Sequence, residues 1–145
     1  IYSVAYGNEL WVAVGNDGKL ATSSNGTSWT QRTSSFETTN ILSVAYGNGL
    51  WVAVGNDGKL ATSSNGTSWT QRTSSFSTTV IRSVAYDNGL WVAAGSDGKL
   101  AASSNGTSWT QRTSSFETTD IVRALAYSDN IWVAVGDNGK LAILS

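Results

Sequence analysis

Short apolar runs alternate with small polar turn residues along the whole chain, and no stretch sustains a helical period. Four strand-like segments stand out within Ile1–Asn40. Ser3-Val4-Ala5-Tyr6 ends at Gly7-Asn8, and Leu10-Trp11-Val12-Ala13-Val14 ends at Gly15-Asn16-Asp17-Gly18. Lys19-Leu20-Ala21-Thr22-Ser23 ends at Asn25-Gly26, and Ser28-Trp29-Thr30-Gln31-Arg32-Thr33 runs into a polar loop. Aromatic and β-branched side chains fit a pleated surface, while Asp-Gly and Asn-Gly supply the positive φ that tight hairpins require. The second segment is apolar on both faces, which predicts a strand sandwiched between neighbouring sheets.

This unit then repeats. Ile41–Val80 copies Ile1–Asn40 with changes only at Tyr2/Leu42, Glu9/Gly49, Glu37/Ser77 and Asn40/Val80. Ile81–Asp120 is a third copy, with further changes such as Ala94, Ser96 and Ala102; a fourth starts at Ile121, gains one residue before Tyr127 and stops at Ser145. Four antiparallel strands per repeat, in tandem, predict an all-β domain spanning residues 1–145: a β-propeller of four-stranded blades. Its blades are 1–40, 41–80 and 81–120, with a partial blade at 121–145. A β-solenoid is the alternative, but its coils are shorter and rarely made of successive hairpins. One blade cannot bury both of its faces, so stacking against neighbours is obligatory.

The run Val44–Gly55 (Val-Ala-Tyr-Gly-Asn-Gly-Leu-Trp-Val-Ala-Val-Gly), then Asp57-Gly58-Lys59-Leu60, then Ser63–Thr70, resembles bacterial propeller repeats related to the WD-repeat and Asp-box groups. The resemblance covers essentially the whole chain and implies the same blade architecture. The turn Ser24–Trp29 resembles the Asp-box of sialidase-type propellers but departs from it. Ser24 stands where that motif has an Asp two residues before its Gly, and Asn25 abuts Gly26. The departure weakens the implication of sialidase chemistry and leaves the blade implication intact.

Composition narrows the chemistry. The chain has no Cys and no His, which removes disulfides, thiolate nucleophiles, Cys or His metal sites and the Ser-His-Asp and Cys-His mechanisms. No catalytic residue, cofactor or metal is therefore expected. A net charge of −1 with interleaved signs offers no basic patch for nucleic acid or an anionic membrane surface. No apolar run approaches a membrane span, and Ile1 is not followed by a signal-peptide layout; the expectation is a soluble protein, secreted or at a cell surface. Asp17, Asp57 and Asp97 read as hairpin residues, since calcium wants several converging oxygens. Asn25-Gly26-Thr27 and its copies fit a glycosylation acceptor, but the turn needs the same residues.

In a propeller the first strand of each blade lines the channel and the fourth forms the rim. The second-to-third turn and the inter-blade loop then share one face, where loops on a rigid scaffold carry binding. That places candidate ligand-binding residues at Asn16, Asp17, Lys19, Arg32 and Phe36, and at their copies Asp57, Lys59, Arg72, Phe76, Asp97, Lys99, Arg112 and Phe116. Arg32, Arg72 and Arg112 beside Trp29, Trp69 and Trp109 have the makings of sugar pockets, against the plainer reading that Trp packs between blades. The varying positions Glu37/Ser77/Glu117, Asn40/Val80/Asp120 and Tyr2/Leu42/Arg82 are either a tuned mouth or drift at tolerant sites. The functional expectation is a non-catalytic, multivalent module for a glycan or protein ligand. The alternative is a structural or engineered symmetric propeller with no ligand of its own. A sialidase-like glycosidase is a distant third, because symmetric copies do not supply an asymmetric site.

Strand counting adds an assembly expectation. The fourth copy holds three strands, and Ile143 and Leu144 replace the Thr22 and Ser23 of the first. A homodimer closing one eight-bladed ring is expected ahead of a four-bladed monomer or a fragment of a longer chain.

Overall fold

The computed structural model describes residues 1–144. The first sheet contains β1 (Ser3–Gly7), β2 (Leu10–Val14), β3 (Leu20–Ser23) and β4 (Thr30–Arg32). The second contains β5 (Ile41–Gly47), β6 (Leu50–Gly55), β7 (Leu60–Ser63) and β8 (Thr70–Arg72). The third contains β9 (Ile81–Asp87), β10 (Leu90–Gly95), β11 (Leu100–Ser103) and β12 (Thr110–Arg112). β13 (Val122–Ser128), β14 (Ile131–Gly136) and β15 (Leu141–Leu144) form a three-stranded last sheet. Every sheet is an antiparallel meander in chain order.

The first strands β1, β5, β9 and β13 lie side by side as the inner row, while β4, β8 and β12 are fully exposed at the opposite edge. Within each sheet the register places Tyr6 against Trp11, and Val12 between Ala5 and Thr22. The Tyr–Trp pair recurs in all four sheets with tilted rings whose centroids are 4.7 to 5.1 Å apart. β5, β9 and β13 run seven residues against five in β1. One cause is visible at Ile41, whose N–H donates to Gly15 O of the preceding sheet at 2.9 Å and so draws the inter-blade link into the strand.

The turns follow two chemistries. Asp17 (φ 53°) and Gly18 (φ 64°) form a left-handed hairpin turn closed by Lys19 N–H on Asn16 O at 3.0 Å. The Asn25-Gly26 turn differs from a two-residue hairpin, because only Gly26 has positive φ. Side chains close it instead: Ser23 Oγ accepts the Gly26 N–H at 2.8 Å, and Asn25 Oδ1 accepts those of Thr27 and Ser28 at 2.9 Å. Trp29 folds back and donates its indole N–H to Gly26 O at 3.1 Å, so the fourth strand starts at Thr30 rather than Ser28.

The core lies between blades. Val12, Val14 and Leu20 of the first sheet pack on Val44, Trp51, Ala53 and Ala61 of the second. Forty residues on, Val52, Val54 and Leu60 meet Val84, Trp91, Ala93 and Ala101. Branched side chains on one face thus fill the space left by alanines on the next, which interdigitates the layers. The third junction is thinner, with Ala94 and Leu100 against Val122, Ala134 and Ala142. Val44 and Val84 are 5% exposed whereas Val4 is 54% exposed, because no described residues pack on that face of the first blade.

Phe36, Phe76 and Phe116 correct the expectation of a ligand face. Each is buried, to 1%, 1% and 8%, and each packs within a junction core. An otherwise polar loop anchors itself by burying its aromatic ring.

Candidate functional site

The turn after each second strand and the inter-blade loop meet at one edge of every blade. Ser34 Oγ donates to Gly18 O at 2.5 Å, and Ser74 and Ser114 repeat this to Gly58 O and Gly98 O at 2.6 and 2.8 Å. Around that joint the structure brings several expected residues together. Asp17, Arg32, Glu37, Gln31, Thr33 and Ser34 line an open polar groove of about 500 Å³. Asp57, Lys59, Arg72, Gln71, Ser74 and Ser77 line its copy, of about 330 Å³. Asn16 is exposed and donates from Nδ2 to Asp17 Oδ2 at 2.9 Å. Asp57 (φ 56°) and Asp97 (φ 57°) hold the same left-handed turn position as Asp17.

The lysines after the first blade reach towards the preceding blade, Lys59 doing so from the lining of its groove. Lys59 Nζ donates to Phe36 O at 3.2 Å and approaches Glu37 Oε2 at 3.4 Å. Lys99 Nζ donates to Phe76 O at 3.3 Å and to Thr79 Oγ1 at 2.8 Å. Lys140 Nζ donates to Asp120 Oδ2 at 2.8 Å, with Glu117 Oε2 at 3.7 Å. Each blade therefore clamps the loop that enters it, and Lys19, in the first blade, is exposed. Hydrogen bonding from Lys140, reinforced by the Glu117 N–H, holds the Asp120 carboxyl below the usual carboxylate range, and the same contact raises Lys140.

The positions that differ between copies are partners in these contacts. Where the loop carries Glu37 or Glu117, the next lysine pairs with it; where it carries Ser77, Lys99 takes Thr79 instead. Arg82 donates Nε to Ser96 Oγ at 3.3 Å, and Arg123 pairs with Asp137, whereas Tyr2 and Leu42 face asparagines at the same turn position. Sequence reasoning missed this clamp because lysine and loop lie about twenty residues apart. For the separate arginine contacts, the matched changes at 82/96 and 123/137 were the available signal.

On the rim, Arg32 Nε donates to Thr22 Oγ1 and Arg72 Nε to Thr62 Oγ1, both at 3.0 Å. Arg32 does not share a pocket with Trp29; it lines an open groove of about 560 Å³ with Trp69 of the next blade. Arg112, whose blade has Ala102 in place of the threonine that Arg32 and Arg72 bond, borders a groove of about 320 Å³ with Trp132, Ile143 and Leu144. Among the described residues, no three His, Cys, Asp or Glu converge in a metal-holding group. No helix among them is long and apolar enough to cross a membrane.

No family model and no curated protein matches the sequence. Solved structures do match. The computationally designed Ika4 protein superposes with a TM-score of 0.77 at 15% identity, covering 99% of this chain and 89% of its own. The fold is a β-propeller. The computationally designed Ika8 protein matches at 0.75 and 16% identity, and YCF48 from Cyanidioschyzon merolae at 0.77 and 17%. These cover 99% and 98% of this propeller chain but only 45% and 49% of theirs, so it spans about half the length of the longer propellers. Its four blades form an arc that is not closed in the described residues, as the exposed Val4 at one end and Leu141 (56%) at the other attest.

Proposed function

We propose that the chain is a symmetric structural propeller unit, natural or engineered, with no dedicated ligand of its own. The observation that supports this reading is the use made of its variable polar positions. Glu37, Asn40, Asp120, Arg82 and Arg123 each bond to a group of the same protein, and two of them answer the lysine of the following blade. A tuned binding mouth would instead present its variable groups outward and unmatched. The likeness to two designed propellers is consistent with a repeat built for architecture.

A second reading, a multivalent lectin-like or protein-binding module, draws on one specific feature. The Asp17/Arg32 and Asp57/Arg72 grooves recur in successive blades, so equivalent weak sites would gain by avidity. The two readings separate in one experiment. Lys59→Met with Lys99→Met removes two charged donors from buried carbonyls, at a cost of about 1–3 kcal/mol each. The structural reading expects lower stability in urea and no selective retention of wild-type protein on a glycan array. Selective glycan retention that vanishes in the double variant while its urea midpoint stays unchanged would overturn it.

A further inference from the structure

Among the described residues, all nine exposed large apolar side chains belong to the first and last blades, and the two middle blades have none. On the first blade Val4 is 54%, Tyr6 55% and Trp29 41% exposed, and on the last Leu141 is 56% and Ile143 64% exposed. The two end faces correspond to the two sides of the contact between successive blades. The inter-blade contact seats Val12, Val14 and Leu20 of one blade on Val44, Ala53 and Ala61 of the next. The last blade presents Val133, Val135 and Leu141 at the first set of positions, and the first blade presents Val4, Ala13 and Ala21 at the second. An apolar groove of about 390 Å³, lined by Ile1, Val4, Ala13, Ala21 and Trp29, lies open on the first blade.

We propose that a second copy of this chain mates with both end faces at once, so that two four-bladed arcs close a single eight-bladed ring. The occupant follows from continuity, since each end face fits the opposite end of another copy through a contact already made between successive blades. Two details sharpen the fit. Inside the arc, Leu10 packs under the Gly66 turn so closely that a methyl group there would meet Leu10 Cδ2 at 2.5 Å. The equivalent Gly26 turn has only its own Trp11 nearby, and Ile131, 42% exposed, occupies the Leu10 position on the last blade. Ile131 therefore fills the Gly26 slot of the second copy. At the Thr22 position, where the hydroxyl serves Arg32, the last blade carries Ile143, which makes its outward face apolar.

The area suffices. The nine side chains expose roughly 1,000 Å² per copy, and two seams would bury about twice that, at the upper end of stable pairings. A head-to-tail contact either closes or runs into a filament. The chain superposes on 45% of the Ika8 chain and 49% of the YCF48 chain, so two copies would supply about the length of one such propeller. This interface is independent of whether any ligand binds.

Light scattering of the 145-residue chain at micromolar concentration tests it. The expected mass is twice the 15.3 kDa of one chain. Val4→Asp spoils only the first face and Leu141→Asp only the last, and each should weaken dimerisation at least 100-fold while leaving the far-ultraviolet dichroism unchanged. Should Leu141→Asp lose its fold, Val135→Lys takes its place. Mixing the two variants restores one intact seam, so a heterodimer should form that neither variant forms alone. A monomeric wild type, a filament, sensitivity to only one of the two faces, or failure of the mixture to associate would each overturn the proposal.

Discussion

Gly47 is the position where the inter-blade fit is most sharply testable. It closes the first strand of the second blade and sits against Tyr86 of the third. A methyl group on Gly47 would come within 2.6 Å of Tyr86 Cβ and nearer still to the ring, and Gly7 stands in the same relation to Tyr46. Its φ lies outside the left-handed region, so space rather than backbone freedom demands glycine there. Gly49, two residues on, is the converse case: φ is 74° and nothing lies within 4 Å of the added methyl. Gly47→Ala should therefore cost about 1–3 kcal/mol by overpacking. Gly49→Ala should cost about 1 kcal/mol through left-handed strain alone. For a chain of this size each kcal/mol moves Tm by about 4 °C. The decisive assay is a double-mutant cycle by urea unfolding in the Tyr86→Ala background. There the cost of Gly47→Ala should fall to near zero, a coupling of 1 kcal/mol or more, while that of Gly49→Ala stays put. Equal costs for Gly47→Ala in both backgrounds would refute the packing account. The third blade supplies an internal control, since Asp87 occupies the corresponding position and is exposed; Asp87→Ala should change little.

Three further outcomes are expected. Glu9 holds φ 60° where the next two copies have Gly49 and Gly89, so Glu9→Gly should raise the urea midpoint by the equivalent of about 1 kcal/mol. Ser35 and Ser75 bury hydroxyl oxygens without a partner; Ser75→Ala should stabilise by about 1 kcal/mol in calorimetry, and a loss of stability would show that the hydroxyl is bonded in solution. Asp120 is depressed by Lys140 and the Glu117 N–H, so its contribution is full above the unfolded carboxylate value near ~3.9 and is lost as pH falls through its lower folded value. Lys140 is raised, so its share is full below the unfolded lysine value near ~10.4 and lost as pH rises through its higher folded value. Amide exchange in β13 to β15 should accelerate at both extremes, and Asp120→Asn should flatten the acid limb.

Much of this fold was legible because the chain supplies its own alignment. Val12 and Val14, repeated as Val52 and Val54, gave away a strand apolar on both faces, and Asp17-Gly18 gave away its turn. The candidate site read less well for two physical reasons. A loop such as Thr33–Asn40 has no periodicity, so nothing local says whether Phe36 points out or in; its unchanged recurrence at 76 and 116 in polar surroundings is the mark of a plug. The lysine clamp is a tertiary contact across blades, invisible to strand patterning. Ser23 read as a strand end and Asn25 as a generic turn former, although their side chains make the hydrogen bonds that close the turn.

Near-identical blades create a problem that the polar pairs answer. The apolar faces at the first and second junctions are copies of each other, so a blade could dock on any neighbour with almost the same hydrophobic gain. Discrimination must come from groups that match at one junction and mismatch at another. Glu37 meets Lys59 where the next loop has Ser77, and Asp120 meets Lys140 where the earlier loops have Asn40 and Val80, while Asp87 and the added residue before Tyr127 set the third junction apart. A pair whose carboxylate is as exposed as Glu37 contributes at most about 1 kcal/mol, too little to order free blades. Tethering does the remainder: a short inter-blade loop gives the adjacent blade a millimolar-scale effective concentration, and the polar pairs need only penalise wrong pairings. The end faces lack that tether. In the proposed ring, association between copies would rest on their apolar area, and the last blade carries Ile143 and Leu144 where the first has Thr22 and Ser23.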